Sequence, residues 1–125
     1  MHRLKIIFII VVVLVIATRC GSIDGLEVVE ATYGLNCNNI NSPSSVVPGN
    51  MTSVIHADCA HRKGTCTFNI TPHKISQIGG DPAVGCTKDF LVNYKCNKNG
   101  EIHTAKVNGE ALYKTLVLQC PKKVN

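Results

Sequence analysis

Six cysteines restrict the fold of this chain more than any other feature, because an even set of cysteines in a short exported protein typically forms a disulfide framework. They follow an apolar leader and are spread along the rest of the sequence: Cys37, Cys59, Cys66, Cys86, Cys96 and Cys120. Each bridge can stabilise a small domain by about 2–4 kcal/mol, because it restricts the unfolded chain. We therefore expect three disulfides, although six cysteines allow many connectivities.

The first 22 residues have the features of a secretory signal peptide. A short basic start precedes a 12-residue apolar run at 6–17, whereas a helix that spans a bilayer needs about 20 apolar residues. Cleavage between Cys20 and Ile23 would leave a mature domain of residues 23–125. This domain would be secreted to the extracellular space, with no stable membrane insertion. An uncleaved membrane anchor is the alternative interpretation.

The charge of the chain argues against nucleic acid as a partner. The sequence has 13 Lys and Arg against eight Asp and Glu, but three basic residues would leave with the signal peptide: Arg3, Lys5 and Arg19. The mature domain then has a net charge of about +2. Nucleic-acid binding needs a clustered basic face, and the sequence does not predict one.

The pattern of apolar residues predicts a small α+β domain that is mostly β. Alternation and β-branched residues indicate five strands, at 26–32, 65–70, 90–96, 101–107 and 112–120. Residues 51–58 favour a short helix with Asn50 as a candidate cap, although a strand there fits almost as well. A connector with room for one helical turn begins at 71–74, and residues 36–50 form a long Asn-rich loop. We expect an antiparallel, β-sandwich-like domain with one or two short helices.

One cluster of residues has the composition of a metal site. His56, Cys59, His61 and Cys66 lie within eleven residues, and zinc takes His and Cys ligands at short spacings. The alternative is a small disulfide loop between Cys59 and Cys66, with two exposed histidines. An oxidising compartment favours the bridge, so we expect no metal and no other cofactor.

Catalytic motifs are missing from the sequence. It has no GxSxG or HExxH pattern and no free cysteine if the six mature cysteines pair. A glycosidase would need two carboxylates, but no spacing singles out a pair among Glu27, Glu30, Asp81 and Asp89. The sequence therefore favours a protein that is not an enzyme.

Two N-glycosylation sequons are present, at Asn50-Met51-Thr52 and Asn69-Ile70-Thr71. In a eukaryotic host, Asn50 and Asn69 could both carry glycans. In a bacterial host, neither sequon would have this meaning.

The segment at 80–96, GDPAVGCTKDFLVNYKC, combines turn residues with an acid and a base. Pro82 fixes a backbone torsion and Gly85 permits a turn that a Cβ would hinder. Asp81 could accept hydrogen bonds from sugar hydroxyls, Lys88 could donate to them, and a rigid turn would reduce the ordering cost of binding. A nearby Tyr could cover the apolar face of the sugar. The alternative is an exposed Asp–Lys pair, which is worth less than about 1 kcal/mol.

Several motifs resemble the galactose/rhamnose-binding lectin domain family of the sea-urchin-egg-lectin type. The matching segments run from 26 to 96 in the family's order: AlaThrTyrGly at 31–34, Cys59 followed by GlyThrCys at 64–66, GlyAspProAlaValGlyCysThrLys at 80–88, and ValAsnTyrLysCys at 92–96. The resemblance implies that a sugar lies between the Tyr-Gly turn and the Asp-Pro loop. By position, it implicates four ligand-binding residues: Tyr33, Asp81, Gly85 and Lys88.

The chain also departs from that family's pattern. The family's opening strand is missing before residue 26, and residues 114–120 are similar to it, which suggests a circular permutation. Pro121 follows Cys120 where the family has a Glu, Ala83 replaces a motif cysteine, and Leu35 replaces an Arg. The permutation implies three disulfide pairs: Cys37–Cys120, Cys59–Cys66 and Cys86–Cys96.

These inferences predict a secreted, lectin-like domain that binds a monosaccharide or the end of a glycan without catalysis. Its partner would be a carbohydrate or a glycoprotein. Because one shallow site binds weakly, a homo-oligomer or a multivalent target would supply avidity. The alternative function is a secreted disulfide-rich module or effector that keeps the fold but binds a protein through the loop at 36–50.

Overall fold

The computed structural model describes residues 25–39 and 46–122. The expected signal peptide and the middle of the Asn-rich loop lie outside these residues. The described elements are β1 (Glu27–Tyr33), a 3-10 helix (Leu35–Asn39), α1 (Thr52–Cys59), β2 (Thr65–Asn69), α2 (Pro72–Ser76), β3 (Phe90–Lys95), β4 (His103–Val107) and β5 (Thr115–Gln119). The predicted fold class, a small and mostly β domain with antiparallel sheets, two short α-helices and three disulfides, is confirmed over the described residues.

Two antiparallel sheets contribute to one core. The larger sheet has the strand order β1-β3-β4, and the smaller sheet pairs β2 with β5. Alternate residues of β3, which include the predicted Phe90 and Val92, are buried. The Phe68 ring of the smaller sheet packs with its centroid 5.8 Å from that of Phe90. Burial of these apolar side chains between the sheets supplies the main stabilising free energy.

Helix α1 confirms the helical interpretation of its segment, because Met51, Val54 and Ile55 are all buried at helical spacing. The predicted cap at Asn50 is wrong: Met51 occupies the N-cap position, and no side chain bonds there. The amide of Asn50 instead accepts from the Tyr33 backbone N–H at 2.9 Å and donates to its carbonyl at 3.0 Å. A side-chain amide has one acceptor and one donor group, so it can satisfy both backbone polar groups of Tyr33 on the outer edge of β1.

The disulfide pairing corrects two of the three predicted bridges. Cys59–Cys66 is confirmed, but Cys37–Cys120 and Cys86–Cys96 are wrong. The other four cysteines form Cys37–Cys86 and Cys96–Cys120.

Strand register explains this pairing. Tyr33 at the end of β1 lies opposite Phe90 at the start of β3, so the segments beyond them are also neighbours, and Cys37 meets Cys86. Strand β5 runs antiparallel to β2 and ends near Gly64. Cys120 therefore lies at the opposite end of the domain from the Tyr33-Gly34 turn, next to the end of β3.

Three disulfides fit an extracellular protein. Within 25–39 and 46–122, no helix has the length and apolar composition needed to cross a membrane.

Candidate functional site

Three of the four residues predicted to bind a ligand come together at one end of the larger sheet. Tyr33 ends β1, and Lys88 immediately precedes the start of β3 on the neighbouring strand. Asp81 lies in the turn before Lys88, where its carboxylate accepts from the Ala83 N–H at 2.9 Å. The Cys37–Cys86 bridge ties this turn to the 3-10 helix that follows β1. Gly85 lies in the same turn with a positive φ of 82°, as expected from a residue without a Cβ.

The ammonium group of Lys88 is almost completely buried. The residue is 4% exposed, and its Nζ donates to the carbonyl oxygens of Ala83 at 3.1 Å and Cys86 at 2.5 Å. The same atom lies 3.2 Å from Oδ1 of Asp81. A lysine ammonium has three donors, so these three acceptors satisfy it. Lys88 is therefore an internal anchor in this structure rather than a free donor to a ligand.

Tyr33 is also buried, at 2% exposure, and its hydroxyl donates to Oε1 of Glu110 at 2.7 Å. The centroid of its ring lies 5.7 Å from the Lys88 ammonium, within cation–π distance. Burial, followed by the hydrogen bond to Glu110, raises the pKa of Tyr33 well above its usual value. With this burial, the ring of Tyr33 has little surface left for contact with a sugar, and its role in ligand binding stays a prediction.

Glu110 completes the cluster, and sequence reasoning missed it. Its carboxylate accepts from the Tyr33 hydroxyl, from the N–H of Lys88 at 3.1 Å and from the N–H of Leu112 at 3.2 Å. Oε2 lies 3.9 Å from the ammonium of Lys88. Burial acts to raise the pKa of Glu110, but these hydrogen bonds and the charge of Lys88 outweigh it, so the pKa is lowered. The carboxylate therefore stays ionised at neutral pH.

The loop at 108–114, between β4 and β5, brings Glu110 to the cluster. A Cβ on Gly109 would lie 2.9 Å from Cγ2 of Thr87 and about 3 Å from the backbone of Lys88. Only glycine allows the loop to approach this closely. The Ala111 N–H then donates to the carbonyl of Lys88 at 2.8 Å, which fixes the loop in place.

Two carboxylates form the exposed part of this cluster. The side chain of Asp81 is 44% exposed and that of Glu110 is 41% exposed. Both are held by one buried cation, which gives them a fixed relative position and leaves oxygen lone pairs open to solvent. Such an arrangement can accept hydrogen bonds from neighbouring hydroxyl groups of a ligand.

In the structure, the two cysteines of the possible zinc site form a disulfide. The Cys59–Cys66 bridge uses both thiolates that a zinc knuckle would need. The rings of His56 and His61 remain near each other, with centroids 6.4 Å apart. In the described part of the chain, no group of three or more His, Cys, Asp or Glu side chains could hold a metal ion.

The two sequon asparagines differ in their surroundings. The Asn50 amide nitrogen is bonded to the backbone of β1. Asn69 lies on the exposed face of β2, where its side-chain oxygen accepts from the Thr115 hydroxyl at 2.9 Å. Glycosylation of either residue stays a prediction.

A cleft of about 810 Å³ lies at the other end of the domain, beside the Cys96–Cys120 bridge. Its lining includes Lys63, His103 and Lys122 and shares no residue with the Lys88 cluster. The cleft and the Lys88 cluster lie at opposite ends of β1, so roughly 20 Å separates them.

No protein-family model matches this chain, and no curated protein or solved structure is significantly similar to it. The resemblance to galactose/rhamnose-binding lectin domains therefore rests on the motifs in the sequence and stays a prediction, as does the circular permutation.

Proposed function

We propose that this protein is a secreted carbohydrate-binding domain that recognises a neutral sugar without catalysis. The observation that carries the proposal is the pair of exposed carboxylates, Asp81 and Glu110, held around the buried Lys88 ammonium. A sugar offers adjacent hydroxyl donors, and carboxylates at fixed positions can accept from two of them with little ordering cost. The motif resemblance, itself a prediction, implies a sugar at the same turn and supports the proposal.

The cluster assigns different roles to its members. Asp81 and Glu110 would contact the ligand, because each exposes more than a third of its side chain. Lys88 and Tyr33 would position these carboxylates from below, since both are buried. Gly85 is exposed in the adjacent turn, where it would leave room for the ligand.

A glycan array tests this proposal on the refolded mature domain, residues 23–125. We expect binding that free monosaccharide competes away and that Asp81→Asn and Glu110→Gln each reduce at least about tenfold, the effect of losing a hydrogen bond to a charged group. Asp58→Asn is the matched control, because Asp58 is a partly exposed carboxylate in an ion pair with Lys74. An array without signal for the wild-type domain would contradict the proposal.

A protein-binding module is the second candidate. All three hydrogen-bond donors of the Lys88 ammonium contact groups within the protein. A cluster that only stabilises the fold would have the same contacts, so this observation favours the alternative. The Asn-rich loop supports it less than the sequence suggested. Asn36 bonds to Thr87 and Asp89, and Asn38 bonds to Val46, so their side chains serve the fold. Specific capture of one protein, together with silence on the array, would favour this alternative.

A glycosidase receives little support from the cluster. Hydrolysis of a glycoside needs one carboxylic acid with a raised pKa as the general acid, whereas the pKa of Glu110 is lowered. We expect no turnover of chromogenic glycosides.

A further inference from the structure

Tyr113 is the one exposed residue among the Phe and Tyr side chains of the described chain. It is 77% exposed, whereas Tyr33, Tyr94, Phe68 and Phe90 are buried. A tyrosine ring combines a large apolar area with few rotatable bonds, so it can contact a ligand at a low entropic cost. An exposed ring on an otherwise well-packed domain is therefore a candidate contact surface.

The backbone of Tyr113 is held in an unfavourable conformation. Its φ is +70°, in the left-handed region that bulky residues rarely adopt. Two hydrogen bonds fix this geometry: Tyr113 N–H to the carbonyl of Ile70 at 2.8 Å, and Lys114 N–H to the carbonyl of Ala111 at 3.0 Å. A strained backbone conformation persists only where the surrounding contacts hold it in place. Such conformations are concentrated at functional sites.

Tyr113 belongs to the same loop as Glu110. The N–H of Leu112 donates to Oε1 of Glu110 at 3.2 Å. Since consecutive Cα atoms are 3.8 Å apart, the Cα of Tyr113 lies within about 9 Å of that carboxylate. A sugar ring and a tyrosine side chain together can bridge this distance.

We propose that Tyr113 is the aromatic platform on which the apolar face of the sugar packs, while Asp81 and Glu110 accept from its hydroxyls. This inference rests on the proposed function and makes it more specific. The ligand class would be a neutral pyranose with several C–H bonds on one face, because the ring of Tyr113 needs an apolar surface. Anionic sugars are disfavoured, since two exposed carboxylates would repel them.

Titration calorimetry on the refolded mature domain tests the inference with methyl galactoside and methyl rhamnoside. We expect Tyr113→Ala to weaken binding roughly three- to tenfold, as loss of an aromatic contact predicts, and Tyr113→Phe to bind within about twofold of the wild type. Tyr113→Asn gives a second truncation, because Asn tolerates the left-handed region. Ile102→Ala is the control, since Ile102 is an exposed apolar residue that precedes β4 at the far end of the domain. Galacturonate should bind more weakly than either neutral sugar.

The outcomes separate the two proposals. Sugar binding that depends on Asp81 and Glu110 but is unchanged in Tyr113→Ala and Tyr113→Asn would overturn the platform and leave the carbohydrate site. A wild-type domain that binds neither methyl glycoside nor any glycan on the array would overturn both. Upfield shifts of the C–H protons of methyl galactoside in the presence of the wild-type domain, lost with Tyr113→Ala, would support the platform, because these protons would lie over the face of the aromatic ring.

Discussion

At the scale of single residues, the buried cation Lys88 is the group on which the candidate site depends. Replacing Lys88 removes charged hydrogen bonds from its ammonium, each worth about 1.5–3 kcal/mol, and we expect a loss of at least this size for Lys88→Ala. Lys88→Met should lose less, because it keeps the aliphatic stem that packs near Gly34. The freed carboxylates, both more than a third exposed, can recover hydration. Urea unfolding with the disulfides intact gives both values, and equal losses would show that charge pairing outweighs packing.

Glu110 gives the protein a defined response to acid. Its pKa is lowered in the folded state from the unperturbed value of 4.5, so its contribution to stability is complete above about pH 4.5 and disappears as the pH falls through the folded pKa. We expect the free energy of unfolding to fall below pH 4.5 in the wild type and to fall less steeply in Glu110→Gln. Glu101→Gln, an exposed glutamate beside the distant cleft, should follow the wild-type profile. Parallel profiles for the wild type and Glu110→Gln would refute this assignment.

At the scale of elements, the loop at 108–114 positions a carboxylate by close backbone contact. Gly109→Ala would place a Cβ against Thr87 and the backbone of Lys88. Overpacking of this kind costs about 1–3 kcal/mol, and displacement of the loop should also move Glu110 and weaken sugar binding. Asn108→Ala, a neighbouring change that adds no atoms, should bind like the wild type. Calorimetry of both variants checks this expectation, which fails if Gly109→Ala keeps full affinity.

Removing the disulfide at either end of the domain should reduce stability, but only one of the two removals should weaken sugar binding. Removing Cys37–Cys86 or Cys96–Cys120 by paired Ala substitutions should cost about 2–5 kcal/mol in each case. Only the first bridge holds the turn of Asp81 and Lys88, so only its removal should weaken sugar binding. The assay is calorimetry at a temperature where both variants remain folded. Equal loss of affinity would mean that the turn does not need its bridge.

At the scale of the whole molecule, the sequence predicted the elements better than their connections. Strand alternation and helical spacing are local patterns, so β1, β3 and α1 could be predicted from their own residues. The disulfides Cys37–Cys86 and Cys96–Cys120 depend on which strands pair, and that follows from long-range packing.

Glu110 was missed for the same reason as the disulfides. Its bond to Tyr33 spans 77 residues, and its neighbours in the sequence indicate only a turn. The sequence predicted that Asp81 and Lys88 meet, because they share one turn. It did not predict how far each is buried or which other groups each contacts. Short-range chemistry therefore predicted Asp81 and Lys88, the motif resemblance implied Tyr33, and only the fold supplied Glu110.

The small size of the candidate site limits the affinity of a single domain for a sugar. Two exposed carboxylates and one ring form a small contact area, so a single domain should bind a monosaccharide weakly. Linking several copies can raise the apparent affinity by roughly a hundredfold or more without any new contact. We expect residues 23–125, biotinylated and bound to a tetrameric carrier, to bind a galactose- or rhamnose-coated surface at least that much more tightly than the monomer in surface plasmon resonance. Free sugar should reverse the binding. The Glu110→Gln tetramer should bind at least about tenfold more weakly than the wild-type tetramer, and the Glu101→Gln tetramer should bind like the wild type. A tetramer that gains nothing over the monomer would mean that the site does not recognise surface sugars.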